Sequence, residues 1–145
     1  MPVGTICSRV VATALPDESV RVAARRMVRN DVGTLVVLEG GGINRPVGLL
    51  TDRDITVRCV AGDLDPDHTS VSQVMTAPVH TVNDAAPVID AVLRMASLGT
   101  RRLAVTDTDG RLAGLLSLDD VLGEHVQEVG AIGRLLEQQR PRIPA

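Results

Sequence analysis

The sequence contains no Phe, Tyr or Trp among its 145 residues. Without an aromatic ring, a protein cannot stack the bases of a single strand, and it cannot enclose a methylated cation in an aromatic cage. These two classes of binding site are therefore excluded. A purine can still lie between aliphatic side chains, so the composition remains compatible with a site for a free nucleotide.

Lysine is also absent, since all fifteen basic residues are arginine, and the formal net charge is −3 at pH 7. Proteins dedicated to nucleic acid usually carry a net basic charge, so we expect no nucleic-acid partner. No apolar run approaches the roughly 20 residues of a membrane span, and Leu35–Leu38 is among the longest. With no basic segment leading into an apolar stretch after Met1, we expect a cytoplasmic protein without a membrane segment.

Cysteine is scarce, and Cys7 and Cys59 are too far apart to form a metal or redox motif, so both are predicted to be buried small hydrophobes. The acidic run Asp63–Asp67 begins like a calcium loop, but Val74 stands where the bidentate Glu belongs. No Ser/His/Asp or Cys/His arrangement occupies a recognisable motif. We therefore expect no metal site and no enzymatic activity.

An internal repeat organises the chain. A shift of 68 positions places Met27 on Met95, Leu35 on Leu103 and Val37 on Val105. After the turn of the first predicted hairpin, which is two residues longer than the second turn, the shift becomes 66 and aligns Gly48-Leu49-Leu50-Thr51 with Gly114-Leu115-Leu116-Ser117. Two copies of one structural unit are therefore predicted.

Each copy has the same order of local signals, which predicts strand, helix, strand, strand and helix in an α/β fold. Apolar residues recur at helical spacing over Val20–Val28 and again over Val88–Ala96. Short aliphatic runs around a Gly- or Asp-rich turn then predict a hairpin. The second helices are predicted over 52–60 and 119–125.

The predicted domain organisation follows from this repeat. The first repeat spans 1–62, a linker spans 63–70, the second repeat spans 71–127, and a C-terminal helical tail spans 128–145. Helical periodicity extends from Glu124 to Arg140, although Gly130 and Gly133 disfavour one continuous helix.

Both copies carry a strand that ends in Gly-hydrophobic-hydrophobic-Thr/Ser-x-x-Asp, namely Gly48 to Asp54 and Gly114 to Asp120. Two such motifs in register resemble the cystathionine beta-synthase (CBS) domain pair, also called a Bateman module, over residues 5–127. The chain is most similar to standalone bacterial proteins with two repeats. The resemblance implies pseudo-two-fold symmetry, clefts for adenosine-containing ligands between the repeats, and pairing of two modules into a homodimer.

The resemblance also implies the site residues. The motif Asp would accept hydrogen bonds from ribose hydroxyls and the Thr/Ser would contact a phosphate, which carries over to Asp54 with Thr51 and to Asp120 with Ser117. A carboxylate has two acceptor oxygens and a helix N-terminus attracts anions, so this chemistry is sound. The base would lie beside residues near the first strand of a repeat, which are Val11, Thr13, Val79 and Thr81.

Two alternatives remain open at these positions. Ser/Thr-x-x-Asp at a helix start is also the pattern of a capping box, in which both side chains form hydrogen bonds only with the backbone.

Arg101 and Arg102 occur in the second copy where the first has Gly33 and Thr34. The two guanidinium groups either hold phosphates, which would make one site stronger than the other, or form weak ion pairs on a solvated turn.

The sequence therefore predicts a regulatory module that needs no cofactor, binds AMP, ADP, ATP or a related adenosyl ligand, and acts on an unidentified protein partner. The alternative is a scaffold with the same fold and an empty cleft, which works through protein–protein contacts or dimerisation.

Overall fold

The computed structural model describes residues 1–138. Its elements in chain order are α1 (Val3–Ile6), β1 (Thr13–Ala14), α2 (Val20–Asn30), β2 (Thr34–Leu38), β3 (Pro46–Thr51), α3 (Asp52–Asp54), α4 (Val71–Val74), β4 (Thr81–Asn83), α5 (Val88–Leu98), β5 (Arg102–Thr106), β6 (Leu112–Ser117) and α6 (Leu118–Gln138). Helix α3 continues directly into a π-helical segment, Ile55–Val60.

The strands form two sheets with the same topology, which confirms the predicted α/β fold and its duplication. In the orders β1-β2-β3 and β4-β5-β6, the first pair of strands is parallel and the second pair antiparallel. The registers are equivalent as well, since Val37 pairs with Gly48 and Val105 pairs with Gly114. The pairing register shifts directly after Val37 and directly after Val105, so the two sheets share the same irregularity.

Helices α2 and α5 form where the apolar periodicity predicts them. The Ser19 side chain accepts a hydrogen bond from the backbone N–H of Val22 at 3.2 Å, so it caps α2. Helix α5 ends at Leu98 and is capped by Gly99, whose φ of 65° suits a glycine. Met27 and Met95 occupy equivalent places in the two cores and are both buried.

The two hydrophobic cores exchange their opening helices. Val3 and Cys7, in and after α1, are buried in the core of the second sheet, whereas Val71 and Val74 of α4 are buried in the core of the first. The sequence pattern did not predict these helices, because four residues are too few to show a period. The boundaries 1–62 and 71–127 remain predictions about sequence units, and the packing units cross them.

Four isolated backbone bridges display the pseudo-two-fold symmetry. Ser8 pairs with Leu115 through two hydrogen bonds of 2.9 Å, and Thr76 pairs with Leu49 through bonds of 2.8 and 3.0 Å. The repeat offsets map one pair onto the other, since 8 + 68 = 76 and 115 − 66 = 49. Bridges at Pro2–Pro87 and Ser19–Ser70 are related in the same way. Each repeat therefore adds a stretch of backbone to the other one.

The motif glycines permit this close approach. A Cβ added at Gly114 would lie 2.7 Å from Cys7 Sγ and 2.7 Å from the backbone oxygen of Ser8. A Cβ at Gly48 would lie 2.7 Å from Sδ of Met75 and 3.1 Å from a backbone oxygen. The glycine of each motif thus has a structural role, because a side chain there would push the crossing segment of the other repeat away.

The second helices of the two repeats differ from each other. The predicted helix over 52–60 is present, but its last part is π-helical. In the second repeat, one continuous α-helix runs over Leu118–Gln138, so Gly130 and Gly133 do not interrupt it. The predicted boundary at residue 128 lies inside this helix, and the tail residues 139–145 lie outside the described residues. No helix within residues 1–138 combines the length and hydropathy needed to cross a membrane.

We predict that Gly114→Ala lowers the free energy of unfolding by about 2–3 kcal/mol and Gly48→Ala by about 1 kcal/mol. The difference arises because the atoms in the way at Gly114 include a backbone oxygen at 2.7 Å, whereas at Gly48 the nearest atom belongs to a flexible Met side chain. Gly123→Ala is the control, since open space surrounds Gly123 in its helix. Denaturant unfolding measures all three, and a Gly114→Ala variant as stable as the parent would contradict the close approach.

A half-buried ion pair between Arg26 and Glu18 connects α2 with the start of β1. Arg26 contacts both carboxylate oxygens of Glu18, at 2.9 and 2.6 Å, and also donates to the backbone oxygen of Thr13 at 2.9 Å. The hydrogen bond from Arg26 holds the pKa of Glu18 below its usual range. The pair therefore contributes stability above the pKa of an unfolded Glu, and this contribution is lost as the pH falls through the lower pKa of the folded state.

We predict that Glu18→Gln lowers the free energy of unfolding by about 1 kcal/mol at neutral pH. The difference from the parent should shrink below about pH 4, where the parent carboxylate also becomes protonated. Glu39→Gln is a matched control, because its pair with Arg45 is long at 3.5 Å and more exposed. Thermal unfolding over a pH series tests this, and a pH-independent difference would argue against the ion pair.

Candidate functional site

Both Ser/Thr-x-x-Asp motifs form capping boxes. The Thr51 hydroxyl accepts from the backbone N–H of Asp54 at 3.1 Å, and Asp54 Oδ2 accepts from the backbone N–H of Thr51 at 3.0 Å. Ser117 and Asp120 make the same reciprocal bonds at 3.1 and 2.9 Å. Each motif therefore starts a helix and uses one oxygen of its carboxylate for this purpose, which leaves the other oxygen available for further contacts.

A cleft between the repeats, here named cleft A, lies next to the second motif. Its volume is about 260 Å³, and it is lined by Ser8, Val10, Val11, Ala12, Val32, Gly33, Thr34, Arg102, Leu115, Ser117 and Asp119. One wall comes from the segment before β1 and the start of β2, and the other wall comes from β5, β6 and the start of α6. The cleft thus combines the opening segment of one repeat with the motif of the other.

Cleft A has an aliphatic side and a polar side. Val10, Val11 and Ala12 provide the aliphatic wall on the first repeat. On the second repeat, Arg102 at the start of β5 and Ser117, which directly precedes α6, line the cleft. The positive end of the helix dipole favours an anion at this place. Among the first backbone N–H groups of the helix, those of Leu118 and Asp120 already donate to the backbone oxygen of Arg101 and to the Ser117 hydroxyl. The arrangement can hold a flat apolar group on one side and a phosphate on the other.

Asp119 and Arg101 modify the charge at the edge of cleft A. Asp119 lines both the cleft and a neighbouring hollow that also includes Arg101. Nη2 of Arg101 lies 3.8 Å from Oδ1 of Asp119, and both side chains are strongly exposed. Of the two predicted arginines, Arg102 therefore lines the cleft itself, whereas Arg101 makes a weak surface pair with Asp119 rather than with Asp107 or Asp109, the expected partners.

The first motif lies in different surroundings. Nη1 of Arg58, on the π-helical segment, donates to the backbone oxygens of Val74 and Met75 at 2.9 Å each and lies 3.8 Å from Asp54 Oδ1. The Thr76 hydroxyl lies 3.4 Å from both carboxylate oxygens of Asp54, whose side chain is only 13% exposed. The Asp54 carboxylate is therefore already surrounded by the side chains of Arg58 and Thr76.

The second motif lacks this arrangement, because the repeat offsets place other residues around it. Arg58 corresponds to Glu124, and Thr76 corresponds to Ser8, whose hydroxyl donates to the backbone oxygen of Val10 instead. Asp120 therefore has an acidic residue where Asp54 has a cation. Cys7 lies beneath this site, and burial raises the pKa of its thiol, although Arg9 acts in the opposite direction.

The remaining predicted site residues lie elsewhere. Thr13 lies on β1, where its backbone oxygen accepts from Arg26, and it does not line cleft A. Val79 and Thr81 line a second groove between the repeats, together with Arg45, Pro46, Val47, Pro78, Thr106 and Gly110. This groove has a volume of about 460 Å³ and includes neither motif. The structure thus brings Val11, Arg102 and Ser117 into one cleft, whereas Asp120 is not among the residues that line it.

Several residues that line cleft A were not predicted from the sequence. Gly33 and Thr34 could have been identified, because they are the repeat equivalents of Arg101 and Arg102. Ser8 could not, since its place beside Leu115 depends on the exchange of the opening segments. Among residues 1–138, no group of three or more His, Cys, Asp or Glu side chains is arranged to hold a metal ion.

Comparison with known proteins agrees with this architecture. The family model described as "CBS domain" matches residues 3–60 and 71–126. The CBS domain-containing protein YhcV of Bacillus subtilis is 36% identical over 111 residues, which cover 77% of this chain and 76% of that protein. Hypoxic response protein 1 of Mycobacterium tuberculosis is 32% identical over 120 residues, with 79% and 82% covered. An uncharacterized Methanopyrus kandleri protein is also 32% identical, and the chain spans 60% of its length.

Solved structures show the same fold. The CBS domain protein PAE2072 from Pyrobaculum aerophilum, complexed with AMP, is 28% identical and superposes with a TM-score of 0.75, covering 83% of this chain and 89% of that one. The structure of hypoxic response protein I with two coordinated zinc ions is 25% identical with a TM-score of 0.74, covering 84% and 97%. The two motifs, the two sheets and the two matched segments lead to one conclusion: the chain belongs to the CBS domain family and carries a pair of CBS domains.

Proposed function

We propose that this CBS pair is a regulatory module that binds an adenosine-containing nucleotide in cleft A. The observation that carries the proposal is the position of Arg102, at the start of β5, and Ser117, directly before α6, opposite Val11 of the other repeat across one cleft. The phosphate would contact Arg102 and the Ser117 hydroxyl at the positive end of the α6 helix dipole. The base would lie against the aliphatic wall, and Asp120 would accept from the ribose through its free oxygen.

The first motif would form the weaker site. Its carboxylate already has Arg58 and Thr76 as neighbours, and ribose hydroxyls would have to compete with them. The position that corresponds to Arg102 is Thr34, which brings no positive charge. A single strong site per chain follows from these differences. The AMP in the related Pyrobaculum protein supports an adenosine ligand for this family member.

Binding would change the arrangement of the repeats. A volume of about 260 Å³ is slightly below the roughly 300–1,000 Å³ of common ligand pockets, so a nucleotide requires cleft A to widen. The crossing segments next to Gly48 and Gly114 connect the two repeats at the edges of the motif strands. A ligand that favours the wider arrangement shifts the population toward it and changes the surface offered to a partner protein.

The other expectations belong to the same proposal. CBS domains are regulatory modules, and the expectation that this chain is not an enzyme stays a prediction. A cytoplasmic location and a separate protein as the regulated partner remain proposals too. Association with a second copy of the chain is also proposed, and exposed aliphatic side chains on α5 and α6 offer apolar surface for it.

One observation favours the alternative function of a scaffold with an empty cleft. Both motif Asp side chains serve as helix caps, so their presence would be explained without any ligand. A scaffold of this kind would act through its exposed helix faces. The two functions differ in one measurable property, which is the response of stability to nucleotides.

We predict that AMP, ADP or ATP raises the melting temperature of the parent by several degrees. A ligand at 100 times its dissociation constant adds about 2.7 kcal/mol of stability, which is a shift of this size for a chain of this length. The measurement needs calorimetry or an added dye, because the chain has no aromatic residue. NAD and S-adenosylmethionine complete the panel.

Matched variants identify the site. Asp120→Asn keeps an acceptor for the backbone N–H of Ser117 but removes the charge, and Arg102→Gln removes the cation, so both should abolish most of the shift. Asp54→Asn makes the same change in the other motif and should retain the shift. If no nucleotide changes the melting temperature of the folded parent, the scaffold is the better description. Equal losses in Asp54→Asn and Asp120→Asn would refute the single strong site.

A further inference from the structure

The C-terminal part of α6 extends beyond the core of the second repeat. Val121 is the last buried residue of this helix within the described part of the chain. Beyond it, large aliphatic side chains remain exposed, from 50% for Leu122 to 69% for Val126. Five of them form what we name the α6 stripe: Leu122, Val126, Val129, Ile132 and Leu136. At 3.6 residues per turn, these five lie within an arc of roughly 120°.

A helix of this composition needs a partner to be stable. The segment contains Gly123, Gly130 and Gly133, and glycine is the poorest helix former after proline. Most helical stability in proteins comes from packing of an apolar face rather than from propensity. The described residues of the same chain leave the α6 stripe uncovered. The α6 stripe is therefore an apolar surface available to a second molecule.

The spacing of the α6 stripe is symmetric about its centre. The intervals from Leu122 to Leu136 are 4, 3, 3 and 4 residues, with Val129 in the middle. A second α6 that runs in the opposite direction therefore meets it layer by layer. In such a pair Leu122 would pack on Leu136 of the second copy, Val126 would pack on Ile132 of the second copy, and the two Val129 side chains would meet. This self-complementarity is the property of an interface with two-fold symmetry.

The residues between these layers suit a close approach of the two helices. In the same alignment, His125 lies opposite Gly133 of the second copy, where the missing side chain leaves room for the imidazole. Ten stripe side chains, at about 60–100 Å² each, would bury on the order of 600–1,000 Å² in total. This area corresponds to a weak, concentration-dependent dimer rather than a permanent one.

We propose that the α6 stripe is the contact through which two copies of this chain associate, with their α6 helices antiparallel. The inference rests on the association of two copies proposed above, and it specifies the surface and the orientation. It does not depend on the nucleotide, because the α6 stripe begins after the residues that line cleft A.

The first experiment measures the mass of the full-length protein by sedimentation over a concentration series. The parent should dimerise, and Val129→Glu should raise the dissociation constant at least about tenfold, because two charges would meet at the centre of the stripe. Gln127→Glu is the matched control, since it adds the same charge on the opposite face of the same helix and should leave the dimer unchanged. A parent that stays monomeric throughout the series, or a Val129→Glu dimer as tight as the control, overturns the proposal.

The second experiment tests the orientation by disulfide formation. A mixture of Leu122→Cys and Leu136→Cys chains should form a cross-linked dimer of one chain of each kind, whereas neither variant alone should cross-link. Native Cys7 and Cys59 are buried, so the parent serves as the blank. Cross-linking of Leu136→Cys with itself but not with Leu122→Cys would indicate parallel helices and refute the antiparallel arrangement.

A third measurement separates this inference from the proposed function. Val129→Glu should keep the full nucleotide-induced rise in melting temperature, and its unfolding as a monomer should show that the fold is intact. A dimer that persists in Val129→Glu would leave association itself in place while refuting the α6 stripe as its surface. Loss of the nucleotide response in Val129→Glu, but not in Gln127→Glu, would refute the independence of the two sites.

Discussion

The backbone contact between each motif glycine and the crossing segment of the other repeat is the constraint on which this structure depends. The absence of a side chain at Gly114 lets the segment around Ser8 lie against Leu115, and Gly48 occupies the equivalent place where Thr76 lies against Leu49. These contacts carry α1 and α4 into the opposite cores and hold the two sheets in a fixed relation. They also form the floor of cleft A, because Ser8 and Leu115 are among the residues that line it.

The two Ser/Thr-x-x-Asp motifs of this CBS pair differ in their chemistry because different residues surround them. Both motifs form identical capping boxes, so the difference between the sites does not arise in the motifs themselves. It arises from Arg58 and Thr76 around Asp54, and from Arg102 beside Ser117. A capping box and a ligand contact are therefore compatible roles, because a carboxylate can serve the backbone with one oxygen and a ligand with the other.

The sequence was sufficient to predict the elements that repeat and are long enough to show a period. Helices α2 and α5 and both hairpins lie where the shifts of 68 and 66 residues predicted them. Helices α1 and α4 could not be predicted, because four residues show no period and their packing partners are distant in the chain. The continuity of α6 through Gly130 and Gly133 also differed from expectation, and no packing within the described residues explains it, since the helix is largely exposed beyond Val121.

The candidate site was predictable only in part. Arg102 and Ser117 were identified from the motif and its neighbours, whereas their position opposite Val11 follows from the crossing of the repeats. The surroundings of Asp54 depend on Arg58, which reaches Val74 and Met75 from a π-helical turn that no sequence pattern indicated. Contacts between side chains of different repeats are thus the feature of the site that the sequence pattern could not predict.

The exchange of the opening helices has an evolutionary consequence. A chain with a single repeat would leave the place of α1 or α4 in its core empty, and it could fill that place only with the same helix of a second chain. An ancestor with one repeat and this geometry would therefore have existed as a domain-swapped homodimer. Gene duplication would then have joined the two subunits covalently, and each half would have been free to diverge while the other still completed its core.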